Sequence, residues 1–408
     1  MNVYFHTFGC KANQYDTDVV RQAFSDGGAT VVDDPSQADL AVINSCTVTH
    51  ESEVKLRRFV RHVANSGTAQ TIVMGCAAAL DDGTIAALPS VRAVIPNADP
   101  NMVLRAAGMT SPPERLSASR RGGTMGKNRA LLKIQDACDE HCTFCATTLA
   151  RGDNRSRAVE ELIGEARQLA EHHAEIVLTG VHIGTYGREV RRPARGATLG
   201  ELLSALIEAV PSVRFRLSSV EATEVDDTLA RLLIEAPQNL AAHLHAPLQS
   251  GSNRILKRMG RHWYTADTYR TRIEWLAERL PAFGLGADVI AGFPGESEVD
   301  HHASVALLRG LPFTYLHVFP FSVRPDAAAA KLAEPIPPNV IRDRARELRE
   351  LGESKAAAYR ATRVGQTADG VVSGRQGGRI EVLTQDYLSV YVRSEEWSGR
   401  PRFEVVID

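Results

Sequence analysis

Cysteine is scarce in this chain: six among 408 residues, all in two triplets with none left over. That excludes a disulfide framework, which needs paired thiols and a small secreted domain. The opening MNVYFHTFGC lacks the charged segment and apolar core of an export signal, and no apolar run approaches the ~18 residues of a membrane helix. A cytoplasmic protein with reduced thiols and no membrane partner is expected. Charge of one sign is lacking as well, since 47 Lys and Arg against 49 Asp and Glu leave a net charge of −2. Any nucleic-acid surface therefore has to be local. There is no internal repeat and no low-complexity tract. What remains, 44% hydrophobic and 24% charged, is the composition of an ordinary soluble globular chain, long enough for roughly two to four domains.

Cys138, Cys142 and Cys145 form a compact C-x3-C-x2-C run in DACDEHCTFCA. Cys10, Cys46 and Cys76 are dispersed, but each follows a short apolar run: NVYFHTFGC, LAVINSC and TIVMGC. Structural zinc takes four protein ligands, and His141, inside the compact loop, is a poor fourth. A buried cysteine acting as a small hydrophobe remains an alternative for each dispersed residue, not for the compact run. Three thiolates with one coordination position left open suit an iron–sulfur cluster. Two such triplets predict two 4Fe–4S clusters in one enzyme.

The first hundred residues alternate strands (3–6, 40–44 and 71–74) with helical patterns in QYDTDVVRQAFSDGG and ESEVKLRRFVRHVANSG. This predicts a doubly wound parallel sheet over 1–107. Ligands on such sheets gather beyond the strands' carboxyl ends, where Cys10, Cys46 and Cys76 all fall. Residues 108–128, rich in Gly, Pro, Ser and Arg, read as a linker whose Arg120 and Arg121 either touch phosphate or stay solvated. Within 129–363, six candidate strands (ALLKIQD, EIVLTG, VRFRLSS, LAAHLHA, LGADVIAGF and FTYLHVFPF) predict an open (βα)6 partial TIM barrel, with site residues at the strands' C-terminal ends. The tail, 364–408, has alternating runs that read as a small C-terminal β-barrel, marginal alone and expected to dock on the rest.

The compact run, with Phe144 before its last cysteine, resembles the signature of the radical S-adenosylmethionine superfamily. TFGCKANQYDTD, NSCTVTHESE, LTGVHIGTYG, FRLSSVEATEV, HLHAPLQSGSNRILKRMG, DVIAGFPGES and LHVFPFSVRP, in that order, resemble its methylthiotransferase branch. FGCKANQYDTD with TGVHIGTYG is most similar to the subgroup acting on N6-threonylcarbamoyladenosine beside the tRNA anticodon. The resemblance implies S-adenosylmethionine as methyl donor and radical source, a tRNA anticodon stem-loop as partner, and an electron donor such as flavodoxin or ferredoxin. A monomer is expected. The rivals are methylthiolation of isopentenyladenosine tRNA or a ribosomal-protein aspartate, and an iron–sulfur RNA-binding scaffold without turnover.

Carried onto these positions, the resemblance gives the radical-generating cluster to Cys138, Cys142 and Cys145 and an auxiliary cluster to Cys10, Cys46 and Cys76. Phe144 would face the adenine of S-adenosylmethionine, and Thr179 and Gly180 its amino group. Ser218 and Gln249 are ribose or carboxylate contacts, or else polar residues of the barrel. Gly292 and Gly295 either admit the adenine edge or simply make a turn. Arg151, Arg155 and Arg157 pair with a carboxylate or phosphate, or form a solvated basic loop. TQDYLSVYV resembles an RNA-binding TRAM domain, in which Tyr387 and Tyr391 offer stacking faces. The chain departs from the family in ATTLARG, where a proline is usual, in FSVRPDAAAA, which lacks a glycine–threonine, and in AAAL after Cys76.

Overall fold

The computed structural model describes residues 1–47, 50–67, 70–110, 128–189, 196–324 and 326–408. The expected linker falls mostly on 111–127, and Arg120 and Arg121 with it, outside the described residues. The N-terminal part runs β1 (Asn2–Thr7), α1 (Lys11–Asp26), β2 (Thr30–Val32), β3 (Leu40–Ser45), α2 (His50–Ser66), β4 (Gln70–Gly75), α3 (Cys76–Ala79), β5 (Val91–Pro96) and α4 (Pro100–Ala106). Its strands are parallel, in the order β2-β1-β3-β4-β5. Apolar residues of alternate parity feed two cores. Val42, Ile72 and Met74 pack with Phe5 and Phe24 on one face, while Ile43 and Val73 pack with Leu56 and Val60 on the other. The three expected strands are present. The edge strands β2 and β5 carry weaker signals, because their residues are mostly half-exposed.

The middle part holds β6 (Arg129–Lys133), β7 (Gln135–Asp136), α5 (Thr147–Arg151), β8 (Arg155–Ser156), α6 (Val159–Ala170), β9 (Glu175–Thr179), α7 (Leu199–Ala209), β10 (Arg214–Leu217), α8 (Asp227–Glu235), β11 (His243–His245), α9 (Asn253–Arg258), α10 (Ala266–Ala277), β12 (Gly284–Ala291), α11 (Glu298–Gly310), β13 (Tyr315–Pro320) and α12 (Pro338–Arg363). All six expected strands are there. They form two parallel ladders, β10-β9-β6 and β11-β12-β13, joined by bridges Phe215–Leu240 and Ser219–His245. A short antiparallel ribbon, β7 with β8, had no signal in the sequence. Side chains such as Leu132, Leu178, Phe215, Leu244 and Leu285 face a single apolar core under the helices.

The tail is a curled antiparallel sheet, β14 (Thr367–Gln376), β15 (Arg379–Thr384), β16 (Ser389–Arg393) and β17 (Arg402–Val406), in the order β16-β15-β14-β17. It docks through charge. Glu175 is fully buried and accepts from Arg129 Nε at 2.7 Å and Arg214 Nε at 2.8 Å, with Arg216 Nε at 3.1 Å. The same arginines reach across to the tail, Arg214 to Asp369 Oδ2 at 2.8 Å and Arg216 to the Thr384 carbonyl at 2.8 Å. Burial alone would raise the Glu175 carboxyl, but Arg216, Arg214 and Arg129 outweigh it and hold it well below the usual carboxylate range.

Candidate active site

Parallel register brings the ends of β1, β3 and β4 to one edge, Thr7 beside Asn44 and Ser45 beside Gly75. The residues that follow therefore converge at the switch between β1 and β3, where neighbouring chain connections leave in opposite directions. Cys10 is exposed there, while Cys46 and Cys76 are buried. Gly9, at φ +111°, brings its backbone so close that a Cβ would sit 2.8 Å from Cys46 Cβ. Asn13 stands between two of the thiols, with Oδ1 3.8 Å from both Cys10 Sγ and Cys76 Sγ. Its Nδ2 donates to the carbonyls of Phe8 at 3.1 Å and Ser45 at 2.9 Å, which fixes the amide.

The compact triplet lies in the loop between β7 and α5. Each sulfur faces an N–H donor: Glu140 N to Cys138 at 3.4 Å, Arg261 Nη1 to Cys142 at 3.4 Å, and Thr147 N to Cys145 at 3.3 Å. His182 Nδ1 lies 3.5 Å from Cys138 Sγ. Burial works against charge on His182, yet its hydrogen bonds with Cys138 and Glu224 carry it up to about 11. Burial pushes the Cys142 thiol up to about 12 despite Arg261, and raises Cys76 despite Arg151. A buried thiol gives up its proton when a cation takes its place. All six cysteines are free of disulfides, and N–H donors aimed at sulfur are the outer-shell contacts that tune iron–sulfur thiolates. The residues present fit such a group.

Arg151, at the end of α5, reaches the dispersed triplet. Its Nε donates to Cys76 Sγ at 3.1 Å, while Nη2 bonds Asn13 Oδ1 at 2.7 Å and Asp16 Oδ2 at 2.9 Å, and Nη1 bonds Asp136 Oδ1 at 2.7 Å. Lys133 completes the network through Asp16 and Asp136. Of the two readings of Arg151 from the sequence, the carboxylate pair is the one observed, and the solvated loop is corrected, since the side chain is a buried brace. Arg157 is similarly engaged, with Glu165 at 2.7 Å and Tyr15 Oη at 3.1 Å. Only Arg155 of the three keeps an exposed guanidinium, 3.7 Å from Asp136.

Both triplets line one cavity of about 1300 Å³. Phe144, Thr179, Gly180, Ser218 and Gln249 line it too. Thr179 Oγ1 is buried without a partner among the described residues, and Gly180 lies so near β7 that a Cβ would meet the Gln135 carbonyl at 2.7 Å. Gly292 and Gly295 are not among the lining residues. A Cβ on Gly292 would meet Ile341 Cγ1 at 2.5 Å, and both glycines have positive φ.

The far wall carries residues that sequence motifs did not single out. Asp288 Oδ1 contacts His245 Nε2 at 2.9 Å and His317 Nδ1 at 3.2 Å, and Tyr315 Oη contacts His243 Nε2 at 2.8 Å. Burial would raise Asp288, but the two imidazoles hold it well below the usual range. Tyr387 reaches in from the tail and stacks on His243 at 4.2 Å between centroids, so its ring faces this wall, whereas Tyr391 is exposed. The signal was period-two polarity in HLH (243–245) and YLH (315–317), which aims alternate side chains inward. Across the mouth, Arg324 pairs with Glu53 at 2.6 Å, tying β13's exit to α2.

A profile described as "Uncharacterized protein family UPF0004" matches residues 2–96, and that of the radical SAM superfamily matches 132–308. The threonylcarbamoyladenosine tRNA methylthiotransferase MtaB of Bacillus subtilis is 36% identical over 88% of this chain and 81% of its own. That of Aquifex aeolicus is 32% identical over 96% of both. The chain belongs to the threonylcarbamoyladenosine tRNA methylthiotransferase family. Membership of the radical SAM superfamily brings with it a 4Fe–4S cluster and S-adenosylmethionine. In fold, the methylthiotransferase is similar to the radical S-adenosylmethionine methyltransferase TsrM of Kitasatospora setae, with a TM-score of 0.57 at 14% identity over 79% of this chain and 76% of that one. Among its described residues no helix is long and apolar enough to cross a membrane.

Proposed function

We propose that this methylthiotransferase places a methylthio group on C2 of N6-threonylcarbamoyladenosine beside the tRNA anticodon. The observation that carries this reading is the shared cavity: two thiol triplets from separate sheets, joined by the Arg151–Cys76 contact, open onto one chamber. Cys138, Cys142 and Cys145 would hold the cluster that, when bound, would supply the electron for reductive cleavage of S-adenosylmethionine. A second cluster on Cys10, Cys46 and Cys76 is the proposed site of the transferred sulfur.

The chain's own residues supply position and charge. Arg261 and Arg151 hold negative charge on Cys142 and Cys76 when iron replaces their protons. Thr179, whose hydroxyl lacks a partner, receives the S-adenosylmethionine amino group beside Gly180. Phe144, Ser218 and Gln249 frame the rest of that cofactor. The imidazole and phenol rings of His243, Tyr315 and Tyr387 form an aromatic shelf for the substrate base.

The architecture proposed for this work is a doubly wound domain at 1–107, a linker at 108–128, an open (βα)6 half-barrel at 129–363, and a TRAM-like β-barrel at 364–408. A flavodoxin or ferredoxin in the cytoplasm delivers the electron to a monomer. The test is anaerobic incubation of the reconstituted enzyme with S-adenosylmethionine, a reductant and a threonylcarbamoylated anticodon stem-loop. The methylthio product is expected by mass spectrometry. An unmodified stem-loop alongside full cleavage of S-adenosylmethionine would overturn the substrate.

A further inference from the structure

The first turns of α1 carry a dense polar network with two members left over. Asn13 is fixed by the carbonyls of Phe8 and Ser45, Asp16 by Lys133 and Arg151, and Thr17 by Thr7 and Asn44. Lys11 and Gln14, three residues apart and so on one face of the helix, line the cavity instead. Among the described residues neither the Lys11 ammonium nor the Gln14 carboxamide has a hydrogen bond or ion pair. The Lys11 ammonium is half-buried, and a charge partly withdrawn from water gains from an opposite charge brought against it.

The surroundings of Lys11 define what that partner is. Arg129 and Arg216 lie within Coulombic reach, and the acidic groups that act on it are the Asp288 carboxylate and the Cys10 thiol. The Asp288 carboxylate is already taken by His245 and His317, and Glu175, beside the arginines, by three guanidiniums. The Cys10 thiol belongs to the dispersed triplet. The threonylcarbamoyl substituent ends in a free carboxylate, which bare adenosine lacks.

We propose that Lys11, with Gln14 donating beside it, binds the threonyl carboxylate of the substrate and sets the preference for threonylcarbamoylated over bare adenosine. The inference rests on the substrate reading above, but it is tested by binding, whereas that reading is tested by product.

The experiment uses the reconstituted full chain and two anticodon stem-loops, identical except for N6-threonylcarbamoyladenosine or adenosine at the target position. Kd is measured for wild type and Lys11→Gln, with iron per chain and circular dichroism as checks on folding. Wild type is expected to prefer the threonylcarbamoylated stem-loop, and K11Q to lose about tenfold or more on it, as a lost charge-assisted hydrogen bond implies, with little change on the other. If K11Q loses iron, Gln14→Glu sets a like charge beside the carboxylate and is expected to weaken only the threonylcarbamoylated complex. Equal losses on both stem-loops would make Lys11 a phosphate contact and overturn the proposal. So would an undiminished preference in the variants, or no preference in wild type.

Discussion

Arg151 Nε donates to Cys76 Sγ over 3.1 Å, so a side chain six positions beyond Cys145 serves a thiol of the other triplet. The same guanidinium is pinned by Asp16 and Asp136. The two halves of the site are thereby held in one geometry by a buried, fully bonded cation.

Arg151→Ala leaves Asp16 and Asp136 to Lys133 alone and opens a cavity beside Cys76. Breaking a buried charge network of this kind costs about 3–5 kcal/mol, so a lower melting temperature is expected. Iron bound by the dispersed triplet should fall, while iron bound by the compact triplet is retained. Differential scanning calorimetry and iron assays on the purified variant check both. Unchanged stability and full iron content would remove Arg151 from the brace.

Two four-iron clusters give about eight irons per chain after anaerobic reconstitution. Replacing Cys138, Cys142 and Cys145 with Ala should leave about four and abolish deoxyadenosine formation. Replacing Cys10, Cys46 and Cys76 should also leave about four, yet keep deoxyadenosine formation measurable while the methylthio product disappears. Sulfur insertion at the normal rate by the second variant would show that the dispersed triplet is structural.

Why the six cysteines were legible while the brace was not is a matter of period and distance. Cys10, Cys46 and Cys76 each follow a β-strand, and parallel strands deliver their ends to one edge, so a linear pattern foretold a three-dimensional meeting. The six strands of the middle part were equally plain from their apolar runs. Arg151 looked like any basic loop residue, because its partners Asn13, Asp16 and Cys76 lie far off in the chain. The partner of Tyr387 was hidden for the same reason: its stack on His243 depends on how the tail docks.

Docking of the tail should respond to acid. The Glu175 carboxyl is held below its usual value in the folded chain, so the unfolded chain binds a proton more readily. Stability from this group is present above the unfolded value of roughly 4.3 and is lost as pH falls through the lower folded value. Glu175→Gln leaves Arg129, Arg214 and Arg216 without their anion and is expected to cost about 3–5 kcal/mol at neutral pH. The difference between wild type and variant should shrink on acidification. Urea unfolding across a pH series measures it, and a constant difference would contradict the account.

Overall charge is near balance, so tRNA contact rests on local cations. Arg155, Arg375 and Arg379 are exposed, and Arg375 lies 4.6 Å over the Trp397 ring, which holds its charge at the surface. Each phosphate contact removed should lower the slope of log affinity against log salt by about 0.7–0.9. Filter binding of alanine variants across a salt series tests this. An unchanged slope would move the RNA surface elsewhere.

The most direct measurement is nucleoside mass spectrometry of tRNA from cells lacking this gene, complemented with wild type or with the Cys10, Cys46 and Cys76 alanine variant. The account predicts that N6-threonylcarbamoyladenosine accumulates without its 2-methylthio form, that wild type restores that form, and that the variant does not. A full level of the methylthio nucleoside in the deletion strain, or its restoration by the variant, would contradict it.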